Sequence, residues 1–289
     1  MEQRVIKKVC VAGAGTMGRQ IAMNAAIYGY NVTLYDLNEA ARNNVAEWKK
    51  TYLQGRIDKG RMTAEQVADI DSRYQIMSSL EEALADVDLV IETIVEVEEI
   101  KKSFFEQVAK LVREDTLLAS NSSFIPTSKF VDVVPNPSRM GNLHYSNPAI
   151  VMQMAEVCSG EHTSKETVDA LMDFARSVGK KPVWIRKEIE GFIGNRIKHA
   201  LEMEARWLVE NGYCTCEDVD TVLETGYGYA KGPFRLNDMT GVDLAFIVLR
   251  ERYKKTGVKE PGYDMFEKMY EEGRWGVKTG KGFYDYTDK

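Results

Sequence analysis

Histidine and cysteine are scarce in this chain: 289 residues hold three histidines and four cysteines. The cysteines, Cys10, Cys158, Cys214 and Cys216, show neither zinc-ligand nor disulfide-framework spacing, so no metal is expected and a reducing compartment is. No apolar run approaches the ~18 residues of a membrane span, and the opening Met-Glu-Gln-Arg lacks a signal-peptide core. A soluble, cytoplasmic protein without a membrane partner is therefore expected. Positive charge is not in surplus either. The net charge is −6, which argues against a nucleic-acid partner, because counterion release needs clustered Lys and Arg. Repeats and low-complexity tracts are missing as well. What remains, at 44% hydrophobic and 28% charged, is the composition of a folded globular chain long enough for two domains.

The first half alternates strand and helix patterns. Residues 5–12 form a short apolar run that stops at Gly13-Ala14-Gly15-Thr16-Met17-Gly18; a helical pattern follows, then a strand over 31–35 that ends in Asp36. A G-x-G-x-x-G motif means little alone. Between a strand and a helix, with an acid after the next strand, it reads as a dinucleotide cradle. Gly13 permits the tight turn, Gly15 lets the backbone approach a pyrophosphate, and Gly18 lets helix and strand pack. The helix start, at Thr16 and Met17, offers unpaired amides to the anion. Asp36 would accept from the ribose hydroxyls and repel a 2′-phosphate, which favours NAD over NADP.

Residues 38–62 read as a polar helix carrying Lys49, Lys50, Arg56, Lys59 and Arg61, a pattern that by itself is a solvated face. The βαβ series then continues, with strands near 73–78, 88–94, 116–119 and 140–145. Their C-terminal ends deliver polar residues: Glu92 and Thr93, then Ser120 to Ser123, then His144. In an open parallel sheet those ends share one edge, where ligands bind. Ser123 and His144 are thus expected in one cleft with the dinucleotide. Glu156 lies between Ala155 and Val157 in another apolar run, where a carboxylate needs a partner. His144 is the obvious one, although a strand-end histidine that bonds a backbone carbonyl and a solvent-facing Glu156 would explain the stretch alone.

A strand over 182–186 closes the alternation, and Lys187 to Glu190 reads as a linker. The remainder is helical. Over 191–212 the apolar stripe runs through Ile193, Ile197, Ala200, Leu201 and Leu208, and Asn195 lies about 200° from Ile193, off that stripe. Leu244 to Leu249 is apolar nearly all round, so burial, within the chain or against another subunit, is expected. The expected fold is α/β: a Rossmann-type doubly wound domain over 1–186, followed by an all-helical domain over 187–289.

These residues resemble the L-3-hydroxyacyl-CoA dehydrogenases, especially the short-chain 3-hydroxybutyryl-CoA group. The resemblance covers the glycine motif with Asp36, Ile91-Glu-Thr-Ile-Val-Glu96 with Lys101, Ser120-Asn-Ser-Ser123, His144-x-x-Asn147-Pro148, Glu156, Gly191-Phe-Ile-Gly-Asn195-Arg196, Gly232-Pro233-Phe234 and Lys278-Thr-Gly-Lys-Gly-Phe-Tyr284. It implies an NAD-dependent oxidoreductase interconverting 3-hydroxyacyl-CoA and 3-ketoacyl-CoA esters in fatty-acid metabolism. His144 is implied as general base, Glu156 as its partner, and Ser123 and Asn195 as groups that position the substrate. Asp36, Glu96, Lys101, Ser123, Asn147 and Lys278 are implied around the NAD, and Lys59 at the CoA phosphates. A homodimer through the C-terminal domain is implied too. The sequence departs from the family at Tyr145-Ser146, after the histidine, and at Phe124, after Ser122-Ser123; both flank the reaction centre. Two alternatives follow: the same chemistry on a free 3-hydroxy acid, as in gulonate or carnitine dehydrogenases, or a dinucleotide-binding protein without turnover.

Overall fold

The computed structural model describes residues 5–287; the reading of Met1 to Arg4 lies outside the described residues. The chain divides into two compact units, Met1–Ile193 and Gly194–Lys289. The division comes after Ile193 rather than after Arg186, because Phe192 packs with Cys158 and Ile185.

The first unit is one eight-stranded sheet, β1 (Lys8–Ala12), β2 (Asn31–Tyr35), β3 (Tyr74–Met77), β4 (Leu89–Glu92), β5 (Leu117–Ser120), β6 (Met140–Tyr145), β7 (Met154–Cys158) and β8 (Lys181–Ile185). The spatial order is β3-β2-β1-β4-β5-β6-β7-β8. Every neighbouring pair is parallel except β6 and β7, which run antiparallel. Its helices are α1 (Thr16–Ile27), α2 (Glu39–Asp58), α3 (Ala64–Arg73), α4 (Leu80–Ala83), α5 (Glu98–Leu111) and α6 (Lys165–Ser177).

Both faces of the sheet are covered, so the central strands are apolar throughout rather than alternating. Along β1, Val9 and Val11 pack on the face of α1 and α6, while Cys10 and Ala12 pack on the face of α5. Burying each valine side chain contributes roughly 1.5–3 kcal/mol. The parallel β1, β4, β5 and β6 end on one edge, and Gly13, Thr93, Asn121 and the end of β6 gather there. The antiparallel β7 then runs back beside β6, which puts Glu156 directly opposite His144 in the ladder.

The second unit holds most of α7 (Phe192–Glu210), then α8 (Cys216–Thr221), α9 (Pro233–Thr240), α10 (Val242–Thr256) and α11 (Tyr263–Glu271). Val242, Phe246 and Leu249 of α10 pack against Tyr263, Phe266 and Met269 of α11. Leu244, Ile247 and Val248 are exposed, so the all-round apolar character of this helix is only half used within the chain. The C-terminal segment is tied down by Asp238, which accepts from the amides of Phe283 and Tyr284, each at 2.9 Å.

Candidate active site

The glycine turn is built as its spacing demands. Gly13 has a φ of +110°, and a Cβ there would meet the Thr93 carbonyl oxygen at 2.7 Å. A Cβ on Gly18 would lie 1.8 Å from the Gly13 carbonyl oxygen, whereas one on Gly15 would meet nothing within 4 Å. Two glycines are therefore required by the protein's own packing, and the third borders open space. Gly15 is also the N-cap of α1, with no side-chain cap and no acid in the first turn. The free amides and the positive end of the helix dipole are left for an anion. Asp36 holds the turn from the next strand: Ala14 N donates to Oδ2 at 2.7 Å and Asn38 N to Oδ1 at 2.8 Å. A carboxylate has about four acceptor positions, so both oxygens can still accept from a ribose.

Ser123, His144 and Glu156 form one hydrogen-bonded line. Ser123 Oγ lies 3.1 Å from His144 Nε2, and His144 Nδ1 lies 2.8 Å from Glu156 Oε2. Glu156 is fully buried, which is tolerable for a charge only because its oxygens are hydrogen-bonded; Ile193 N donates to Oε1 at 3.0 Å. His144 is 7% exposed and its imidazole lies beside the Phe192 ring, with centroids 5.4 Å apart. Phe192 itself has a φ of +48°, a left-handed conformation rare for a bulky residue and of a kind that gathers at functional sites.

A second network fixes the turn that carries Ser123. Glu96 Oε1 accepts from Ser122 Oγ, from Ser123 N at 3.1 Å and from Phe124 N at 3.1 Å. Burial pushes the Glu96 carboxyl up, but the Ser122 hydroxyl, the Lys101 charge and the Phe124 amide outweigh it and hold the group below the usual glutamate range. Lys101 Nζ is buried between Glu92 Oε1 at 2.5 Å and Glu96 Oε2 at 3.2 Å. Ser120 Oγ completes the cluster by donating to Glu92 Oε2 at 2.6 Å.

Asn147, in the cis Asn147–Pro148 peptide, is exposed just past β6. Lys59 is exposed at the C-cap of α2. Asn195 and Lys278 belong to the second unit, where Asn195 is half-buried in α7 and Lys278 Nζ pairs with Asp243 Oδ1 at 2.6 Å. Phe124 is 48% exposed beside Ser123. Tyr145 does not flank the reaction centre as its position in the sequence suggests. Neighbouring strand residues point to opposite faces, so its ring is 2% exposed in the core beside α1 and α6.

Residues 8–189 match the model of the 3-hydroxyacyl-CoA dehydrogenase NAD binding domain, and residues 191–286 that of the 3-hydroxyacyl-CoA dehydrogenase C-terminal domain. The chain belongs to the 3-hydroxyacyl-CoA dehydrogenase family. A probable 3-hydroxybutyryl-CoA dehydrogenase of Bacillus subtilis (strain 168) is 35% identical over 286 residues, 98% of this chain and 99% of that protein. The crystal structure of (S)-3-hydroxybutyryl-CoA dehydrogenase from Ralstonia eutropha has a TM-score of 0.85 at 31% identity, covering 98% of this chain and 100% of that one. A third relative, 5-formyl-3-hydroxy-2-methylpyridine 4-carboxylate 5-dehydrogenase of Mesorhizobium japonicum, is 32% identical over 292 residues, 98% of this chain and 92% of that protein.

A 3-hydroxyacyl-CoA dehydrogenase uses NAD, and the open backbone at Gly15, the uncapped α1 and Asp36 fit that cofactor. Alanine at the two kinds of glycine should separate packing from binding. Gly18→Ala is expected to lower Tm, because its Cβ would collide with the Gly13 carbonyl. Gly15→Ala is expected to keep Tm near wild type and weaken NADH affinity at least about tenfold, the equivalent of ~1.4 kcal/mol. Thermal melts and fluorescence titration with NADH check both. The sequence showed no role for the Ile193 amide at Glu156 or the Phe192 ring at His144, since a backbone amide has no sequence signal.

Proposed function

We propose that this enzyme interconverts a short-chain 3-hydroxyacyl-CoA and the corresponding 3-ketoacyl-CoA, with the His144–Glu156 pair as general base. The observation that carries the reading is the continuous line Ser123–His144–Glu156 at the sheet edge where the glycine turn lies. When bound, NAD would supply the acceptor for the hydride that leaves the carbinol carbon. Glu156 accepts a hydrogen bond from Nδ1–H of His144, which keeps the proton on Nδ1 and leaves Nε2 unprotonated and able to take the substrate hydroxyl proton. The same carboxylate then stabilises the imidazolium that forms. Ser123 Oγ, within reach of Nε2, holds the substrate oxygen beside the base.

Asn195 is assigned to the substrate oxygens, and Asp36, Glu96, Asn147 and Lys278 to the NAD. Lys101, between its two carboxylates, acts on the cofactor through Glu96. Lys59, exposed among basic residues of α2, is assigned to the CoA phosphates. Exposed Leu244, Ile247 and Val248 on α10 support a homodimer through the second unit. Among the described residues no helix is long and apolar enough to cross a membrane, and the four cysteines are free; the cysteines support a cytoplasmic setting.

A second reading, a free 3-hydroxy acid as substrate, draws on exposed Phe124 and half-buried Ser146 and on the Mesorhizobium relative named for a pyridine carboxylate. Steady-state rates with acetoacetyl-CoA and with acetoacetate separate the two. The thioester is expected to have a kcat/KM at least about 10²-fold higher, because binding energy from the remote CoA lowers the barrier. A higher value for the free acid would establish the second reading.

A further inference from the structure

The strands β5 and β6 part company just where the reacting side chains begin. Their ladder pairs Leu118 with Met140, Ala119 with Gly141 and Ser120 with Asn142, and ends there. Beyond Ser120 the chain leaves the sheet, turns through Ser123 and reaches the short 3-10 turn Thr127–Lys129, while β6 continues for three residues through His144 to Tyr145. Two asparagine side chains span the split. Asn142 Oδ1 accepts from Thr127 N at 3.2 Å, and its Nδ2 donates to the Ile125 carbonyl at 3.2 Å. In the other direction, Asn121 Oδ1 accepts from Tyr145 N at 2.9 Å.

Asn142 is fully buried and, two residues before His144 on the same strand, lies on the same face of the sheet. It meets one amide and one carbonyl, and a carboxamide is the side chain that supplies acceptor and donor together at that size. The turn bearing Ser123 is thus anchored from above by Glu96, through the amides of Ser123 and Phe124, and from below by the strand that bears His144.

We propose that Asn142 is a positioning residue for Ser123: its carboxamide, together with that of Asn121, replaces the β5–β6 ladder where the strands part and sets the 3.1 Å approach of Ser123 Oγ to His144 Nε2. Its carboxamide is occupied by Thr127 N and the Ile125 carbonyl. The inference rests on the reading of Ser123 and His144 as the reacting groups.

A double-mutant cycle tests it. Asn142→Ala is expected to lower kcat for acetoacetyl-CoA reduction about 10–10²-fold, the scale of a displaced reacting group, with the Kd for NADH unchanged by fluorescence titration. In a Ser123→Ala background the same substitution should cause little further loss, since the group it positions is gone. Asn142→Asp keeps size and acceptor but loses the donor to Ile125; it should also be slow, and it runs the same cycle if the alanine variant does not fold. A wild-type kcat in both Asn142 variants, or an equal fold loss in both backgrounds, would overturn the proposal. Should Ser123→Ala and His144→Ala themselves keep full activity, it is the functional reading that fails.

Discussion

Replacing His144 by alanine is expected to slow NADH-dependent reduction of acetoacetyl-CoA by about 10²–10⁴-fold, the usual contribution of a positioned acid or base, while NADH affinity stays near wild type. In the reductive direction the ketone oxygen needs a proton as hydride arrives, and in the proposed mechanism the imidazolium held by Glu156 donates it. Nε2 reaches Ser123 Oγ at 3.1 Å and Nδ1 is engaged by Glu156 at 2.8 Å, so one nitrogen is available for chemistry and the other for orientation. NADH affinity should not follow, because the glycine turn and Asp36 are built from β1, α1 and β2. Alanine also leaves the buried Glu156 without its imidazole partner. A stability loss of about 1–3 kcal/mol, the cost of an unsatisfied buried group, is expected in denaturant titration, and rates are to be normalised to folded enzyme.

Glu156→Gln is expected to cost at least about 10²-fold in kcat, through the tautomer rather than through lost contact. Glu156 Oε1 receives the Ile193 amide at 3.0 Å. A glutamine must keep an oxygen there, so its NH₂ is turned toward His144 Nδ1 and donates to it. The imidazole proton is then driven to Nε2, the nitrogen that has to accept the substrate proton. The charge that stabilises the imidazolium is lost as well. Nitrogen NMR of the His144 ring, read beside kcat, should show Nε2–H in the glutamine variant and Nδ1–H in the wild type. An unchanged tautomer with an unchanged rate would remove Glu156 from the mechanism.

Local spacing made the cofactor side of the protein legible. Gly13, Gly15, Gly18 and Asp36 lie within one βαβ unit, and the need for Gly13 and Gly18 is a steric fact of a few neighbouring atoms. Ser123 and His144 were legible for a topological reason: they follow parallel strands, whose C-terminal ends share an edge. Glu156 was suspected from its apolar flanks, but the reason it meets His144 was not visible. That reason is the reversal of β7, which the alternation of apolar and polar residues does not encode. The same alternation, applied strictly, puts Tyr145 on the face opposite His144, and the structure buries it there. Asn142 and the Ile193 amide stayed hidden because what they do depends on chain segments distant in sequence. Asn195 and Lys278 lie in the second unit, and their roles rest on the family resemblance.

The proposed function requires hydride transfer to a 3-ketoacyl thioester under control of His144. NADH deuterated at both C4 positions, mixed with wild-type enzyme and equal acetoacetyl-CoA and acetoacetate, tests this most directly when the products are read by mass spectrometry. The predicted result is one deuterium at C3 of 3-hydroxybutyryl-CoA, little in 3-hydroxybutyrate, and in His144→Ala bound NADH with transfer slowed by at least about 10²-fold. Deuterium chiefly in the free acid, or undiminished transfer by the His144 variant, would contradict it.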